Sequence, residues 1–222
     1  MSYRTNPSNQ TGSEGLPHRS NEQTCVPVVL SSIDLAVVIC SPMSRHRQPS
    51  LSEDVPLSSV GKTSGCVLES LSIVTLEQAI DVANKTFLPP QAEDPATGFR
   101  ASLVQGRDPN RLRYWVAIDP NTGVVIGTTG LYKTPRDYDD AYWVGWMCVT
   151  PQRRGQGVGK DLLEFTIAMA RSQGKRWLRL YTSTDPIEKV AQVLYERYGL
   201  REVCRIPSRH SRYPLIFREK AL

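Results

Sequence analysis

The chain has 222 residues, of which 40% are hydrophobic and 22% charged, an ordinary balance for a globular protein with a core of normal size. Its formal net charge is +5, and the whole excess lies in residues 66–222, because residues 1–65 carry five basic and five acidic side chains. That excess is mild for a nucleic-acid binder and suits a small anionic ligand, while five widely spaced cysteines without a CxxC exclude a disulfide framework and a zinc ribbon.

Residues 1–65 are dominated by Ser, Pro, Asn, Gln and Thr, with Tyr3 as the single aromatic. They read as a low-complexity, mostly disordered extension. The apolar piece Cys25 to Cys40 interrupts it. It is shorter than the ~20 residues a spanning helix needs, it contains Pro27 and Asp34, and it lies too far along the chain for a secretory signal. An added strand, a partner-binding segment and a cryptic anchor stay open for it. With free thiols expected, the chain reads as cytoplasmic, a nuclear location also being compatible, with no membrane partner.

From Cys66 the pattern becomes periodic, and residues 66–222 read as one domain. Val67 to Val74 suggests a strand. Thr75-Leu76-Glu77-Gln78 fits a capping box, with Thr75 as N-cap of a helix carrying Leu76, Ile80, Val82, Ala83 and Phe87. Pro89-Pro90 stops it, and residues 94–106 hold a second short helix. Residues 113–119 and 124–132 form a hairpin about Pro120-Asn121-Thr122-Gly123. Residues 141–150 form a third strand, apolar on both faces, with Tyr142, Val144, Trp146 and Cys148 on one and Trp143, Gly145, Met147 and Val149 on the other. A helix follows, with Val158, Leu162, Leu163, Phe165, Ile167 and Met169 in its stripe and Gly174 as its stop. Residues 176–183 alternate as a strand. Residues 187–198 form a helix whose buried side is Ile187, Val190, Ala191 and Leu194, ended by Gly199. Residues 200–206 and 213–218 close the chain as two strands. The order predicts a mixed α/β sheet, mostly antiparallel, with helices on both faces and one parallel pair across the crossover helix.

The informative stretch is Gln152-Arg153-Arg154-Gly155-Gln156-Gly157-Val158-Gly159-Lys160, a glycine-rich turn between the third strand and its helix. Glycines let backbone approach a ligand, and the first amides of a helix, with its dipole, hold a phosphate. A Walker loop is excluded, because Arg154 stands at the first glycine position and Asp161 at the Mg²⁺-binding Ser/Thr. A dinucleotide fingerprint is excluded because Lys160 occupies its last glycine position.

The spacing Arg-x-x-Gly-x-Gly, filled by Arg154, Gly157 and Gly159, resembles motif A of the GNAT superfamily of acetyl-CoA-dependent N-acetyltransferases. The order of elements from Val67 to Arg218 is similar to the whole fold of that family. Downstream, Glu188 to Leu200 resembles its Asn-x-x-Ala-x-x-Leu-Tyr-x-x-x-Gly-Phe signature: Ala191, Leu194, Tyr195 and Gly199 match, while Glu188 replaces Asn and Leu200 replaces Phe. The resemblance implies that Arg154, Gly155, Gln156, Gly157, Val158, Gly159 and Lys160 hold the CoA pyrophosphate. It implies further that the strand before them splays from its neighbour, so that Met147, Cys148 and Val149 pair with pantetheine. Tyr195 is implied as the acid that protonates the departing thiolate.

Such a transfer needs a base for the amine, polarisation of the thioester carbonyl and an acid for the thiolate. Residues 142–149 contain no carboxylate and no histidine. The nearest carboxylates are Asp137, Asp139 and Asp140, which with Tyr142 are the candidate acceptor-binding residues; a solvated acidic loop is the alternative. The expected co-substrates are acetyl-CoA and a primary amine, of a small molecule or of a peptide, with no metal and no nucleic acid. A CoA-binding sensor without turnover is the rival. The oligomeric state is left open.

Overall fold

The computed structural model describes residues 26–28, 37–39, 64–87, 94–104, 112–135, 137, 139–209 and 211–222. Most of the stretch read as disordered, together with the stop at Pro89-Pro90, lies outside these residues. Within the apolar segment, strands β1 (Val26–Val28) and β2 (Val37–Ile39) pair antiparallel as a separate two-stranded sheet.

The main sheet has seven strands: β3 (Val67–Ser70), β4 (Arg113–Ile118), β5 (Val125–Tyr132), β6 (Ala141–Val149), β7 (Trp177–Ser183), β8 (Arg201–Ile206) and β9 (Leu215–Ala221). Their spatial order is β3-β4-β5-β6-β7-β9-β8. Every neighbouring pair is antiparallel except β6 and β7, which are parallel. Helix α3 (Val158–Ser172) makes that crossover. Helices α1 (Leu76–Thr86) and α2 (Pro95–Val104) cover one face over β4, β5 and β6. Helices α3 and α4 (Lys189–Arg197) cover the other.

Two apolar layers hold these faces. Phe99, Val116 and Ala83 are fully buried under α1 and α2, and Leu162, Leu163 and Phe165 under α3. Each large side chain so buried contributes roughly 2 kcal/mol. A buried Thr129–Thr166 hydrogen bond of 2.8 Å ties β5 to α3.

Four expectations are corrected. The first strand ends at Ser70 rather than Val74, because Ser72 to Thr75 turn and leave Ile73 and Val74 exposed. Thr75 stands at the N-cap of α1, as expected, but makes no cap bond. Its hydroxyl accepts from Ser72 N–H at 3.0 Å, placing the reciprocal cap one turn earlier, and Gln78 instead accepts from Val125 N–H at 2.9 Å across to β5. The last helix is also rotated from its expected setting: Ile187 and Val190 are exposed, and Tyr195 is the buried residue. Polar anchoring explains this, since Glu188, Gln192 and Tyr195 lie along one side of this helix and the first two bond the end of β7.

The fourth correction concerns β6. The β5–β6 register shifts between Thr128 and Gly130, and Trp146 is the one non-glycine residue with positive φ (43°) among the described residues. Trp146 and Met147 oppose the single residue Thr129, a β-bulge that flips the alternation. Tyr142, Val144, Met147 and Val149 therefore pack toward α3, whereas Trp143, Gly145, Trp146 and Cys148 take the other face.

Candidate active site

Strand β6 runs into a short 3-10 turn, Pro151–Arg153, and then the glycine turn. Gly155 and Gly157 take left-handed backbone, φ 74° and 89°, and Gly157 is the N-cap of α3. A side chain rarely adopts this conformation, so glycine here has a local cause. Among the described residues, the amides of Gly155 to Lys160 donate to no backbone acceptor. Six consecutive N–H groups thus remain available at the positive end of a 15-residue helix.

The side chains of this turn face other ways. Arg154 Nε donates to the Val149 carbonyl (3.1 Å), and Gln156 Nε2 donates to the Gln152 carbonyl (3.0 Å). Lys160 Nζ pairs with Glu164 at 3.2 Å. Val158 is 1% exposed, part of the core. Any anion here would therefore meet backbone first. Asp161 is turned inward and accepts from Ser64 N–H at 2.7 Å, in the first turn of α3 where a carboxylate is favoured.

Beside the turn the sheet opens. Strands β6 and β7 pair only over Ala141–Trp143 with Trp177–Arg179. Beyond that point they part, leaving a wedge between residues 144–149 and 180–183. Met147, Cys148 and Val149 form its β6 bank. Thr128 Oγ1 fixes the bulge by donating to the Trp146 carbonyl at 2.6 Å, and lies 3.2 Å from Cys148 Sγ. Burial pushes the Cys148 thiol up, so it is no thiolate nucleophile.

Tyr195 lies toward the α3 face of the wedge and is 7% exposed. Its hydroxyl has no hydrogen-bond partner among the described residues, yet it is not sealed from solvent. Burial, then the negative charge of Glu188, pushes its pKa up, and Arg218 opposes this. The phenol therefore keeps its proton through neutral and mildly alkaline pH. Glu188 accepts from the Thr182 hydroxyl, from Ser183 N–H (3.1 Å) and from Ser183 Oγ (2.6 Å), locking the start of α4 onto the open end of β7.

The four candidate acceptor residues are not brought to this wedge. Asp137 accepts from Arg179 Nη1 at 2.6 Å and Trp143 Nε1 at 2.8 Å, and Arg179 also binds Glu219. Asp140 pairs with Arg176 at 2.9 Å, and Asp139 is exposed beside it. Tyr142 is 4% exposed on the α3 face, under Lys133 and Lys175. All lie at the closed end, where the strands still pair. With a strand rise of about 3.3 Å per residue, Asp140 is roughly 25 Å along β6 from Cys148.

The residues that sequence reasoning missed are Trp146, whose strain marks the bulge, Thr128, which holds it, and Glu188 as the lock of α4. A tryptophan at positive φ has no sequence signal. Among the described residues no group of three or more His, Cys, Asp or Glu gathers that could hold a metal ion, and no helix is long and apolar enough to cross a membrane.

Comparison with known proteins finds the same fold elsewhere. An acetyltransferase assigned to the GNAT family, from Desulfovibrio desulfuricans, superposes with a TM-score of 0.61 at 18% identity, over 70% of this chain and 98% of its own. A protein assigned as a phosphinothricin N-acetyltransferase does so with 0.56 at 25% identity, over 71% and 98%. The NatC complex bound to Gag peptide and CoA gives 0.60 at 19% identity, over 71% and 98%. No curated protein is close enough in sequence to match. Residues 110–202, which span β4 to β7, the glycine turn, the wedge and Tyr195, match the acetyltransferase (GNAT) domain model, so this stretch of the chain is similar to that family.

Proposed function

We propose that this chain transfers an acetyl group from acetyl-CoA to a primary amine, directly, within a ternary complex. The observation that carries the reading is the run of free amides, Gly155 to Lys160, set beside an open wedge that holds the unpartnered hydroxyl of Tyr195. The pyrophosphate sits on those amides, with Arg154, Gln156 and Lys160 at its rim. Pantetheine runs along Met147, Cys148 and Val149. The neutral amine attacks the thioester carbon, and the C–S bond breaks as the C–N bond forms. The Tyr195 phenol gives its proton to the leaving sulfur. No carboxylate or histidine stands on β6, so the proton of the acetylated nitrogen leaves through water.

The acceptor can be a small molecule, as the name of the phosphinothricin enzyme indicates for that protein, or a peptide, as NatC binds. Residues 66–222 form the transferase domain in this reading, and residues 1–65 are an extension to it. Free Cys66 and Cys148 suit the reducing cytoplasm. One observation favours a second reading, a CoA-binding sensor without turnover: Asp137 and Asp140 are spent in ion pairs. Free-thiol release from acetyl-CoA over an amine panel separates the two. Amine-dependent release is expected, and acetyl-CoA binding with no release under any amine would overturn the transfer.

A further inference from the structure

The wedge has two mouths. The glycine turn and Tyr195 belong to the α3 face, so a thioester lying through the gap is approached by its acceptor from the α1/α2 face. On that face, the β6 bank carries Trp146 and the β7 bank carries Tyr181. Parallel register places Tyr181 level with Gly145, two residues beyond the last pair, Trp143 with Arg179.

Trp146 is an unusual residue for this place. It holds φ 43°, which costs a bulky side chain of order 1–3 kcal/mol, and the surrounding structure maintains it. Its ring meets Phe87, at the end of α1, edge to face with centroids 5.1 Å apart. The indole N–H makes no hydrogen bond among the described residues and is not sealed in. Packing alone would bury that donor against an acceptor. Glycines let the neighbouring backbone approach it closely. A Cβ at Gly98 of α2 would lie 3.4 Å from the indole nitrogen and 3.1 Å from the Tyr114 hydroxyl, and a Cβ at Gly145 would lie 3.3 Å from that same hydroxyl. Opposite, the Tyr181 ring rests on Phe217, with centroids 5.8 Å apart. The ion pairs of Asp137 and Asp140 leave this mouth at the closed end of the strands, so the banks beside the thioester are aromatic.

We infer that the acceptor is an amine carried on an aromatic ring by a short linker, its ring held at the α1/α2 mouth between Trp146 with Phe87 and Tyr181. Polycationic amines and bare peptide N-termini lack the flat apolar group that these side chains bind. The indole N–H adds a donor to a polar ring substituent. This inference rests on the acetyl-transfer reading and names its acceptor class.

The test is free-thiol release by the full chain with acetyl-CoA and four amines: 2-phenylethylamine, n-butylamine, spermidine and glycylglycine. 2-Phenylethylamine is expected to give kcat/KM at least about tenfold above each of the others. Trp146→Ala is expected to collapse that preference to within about twofold, mainly through KM, and Trp146→Phe to retain most of it. Circular dichroism and acetyl-CoA calorimetry confirm that each variant folds and loads. Equal or better turnover of n-butylamine, spermidine or glycylglycine by the native chain overturns the aromatic class and leaves acetyl transfer standing. A preference unchanged in a folded Trp146→Ala overturns the assigned mouth. Thiol release with none of the four, in a chain that binds acetyl-CoA, overturns this inference and counts against transfer itself.

Discussion

Gly157→Val puts the glycine turn under direct test. Gly157 caps α3 with φ 89°, and a Cβ there would stand 3.4 Å from Ser64 Cβ. A β-branched residue in left-handed backbone costs roughly 1–3 kcal/mol, and in a domain of 150–250 residues each kcal/mol lowers Tm by about 2–4 °C. Gly174 supplies the matched control: it sits after the other end of α3 with φ 67° and nothing within 4 Å of an added Cβ. Gly174→Val should suffer the same backbone penalty. The two variants differ in what the amides near them do. Relaxing the turn away from φ 89° re-aims at least two of the free N–H groups. A hydrogen bond to a charged oxygen is worth about 1.5–3 kcal/mol, so losing two weakens acetyl-CoA about 10²- to 10⁴-fold. Calorimetry with acetyl-CoA on both variants, beside thermal melts, reads this out. Similar melting losses with binding lost in Gly157→Val alone are expected. Native affinity in Gly157→Val, or equal loss in Gly174→Val, would show that the amides of this turn do not hold the cofactor.

Tyr195→Phe should lower kcat about 10²-fold with acetyl-CoA affinity unchanged; equal turnover would return the phenol to packing. Because burial and the charge of Glu188 raise its pKa, its acid form persists as pH rises. The native rate should therefore show no alkaline fall below about pH 10, the ordinary tyrosine range, and a fall near pH 8 would contradict this. Glu188→Ala leaves the Thr182 and Ser183 donors without their carboxylate and should cost roughly 1–3 kcal/mol in denaturant melts. It also removes a charge that holds the Tyr195 proton, moving the alkaline limb to lower pH. Asp137→Ala breaks the bonds to Arg179 and Trp143, so it should cost roughly 2 kcal/mol in stability yet leave the amine KM within about twofold. A large rise in KM would restore Asp137 to acceptor binding.

The order of elements was readable because each carries its own period, and the turn because glycines at 155, 157 and 159 break a strand-to-helix passage at fixed spacing. Where reading from the residues alone went astray, the cause was long-range. An alternating count along β6 assumes an unbroken pleat, and the bulge at Trp146 reverses every residue after it. An apolar count on α4 favoured Ile187 and Val190, but the hydrogen bonds of Glu188 and Gln192 to β7 turn the helix so that Tyr195 is buried while Ala191 and Leu194 stay against the core. Acidic residues near the motif looked available because neither Arg176 nor Arg179, 36 and 42 positions away, announces itself as their partner.

The most direct test of the glycine turn is an amide NMR titration of the ¹⁵N-labelled chain with acetyl-CoA, and separately with pantetheine, which lacks the pyrophosphate. Gly155, Gly157 and Gly159 should shift most strongly with acetyl-CoA and stay in place with pantetheine, which should perturb only Met147 to Val149. Saturating acetyl-CoA that leaves the three glycine amides unmoved would contradict this.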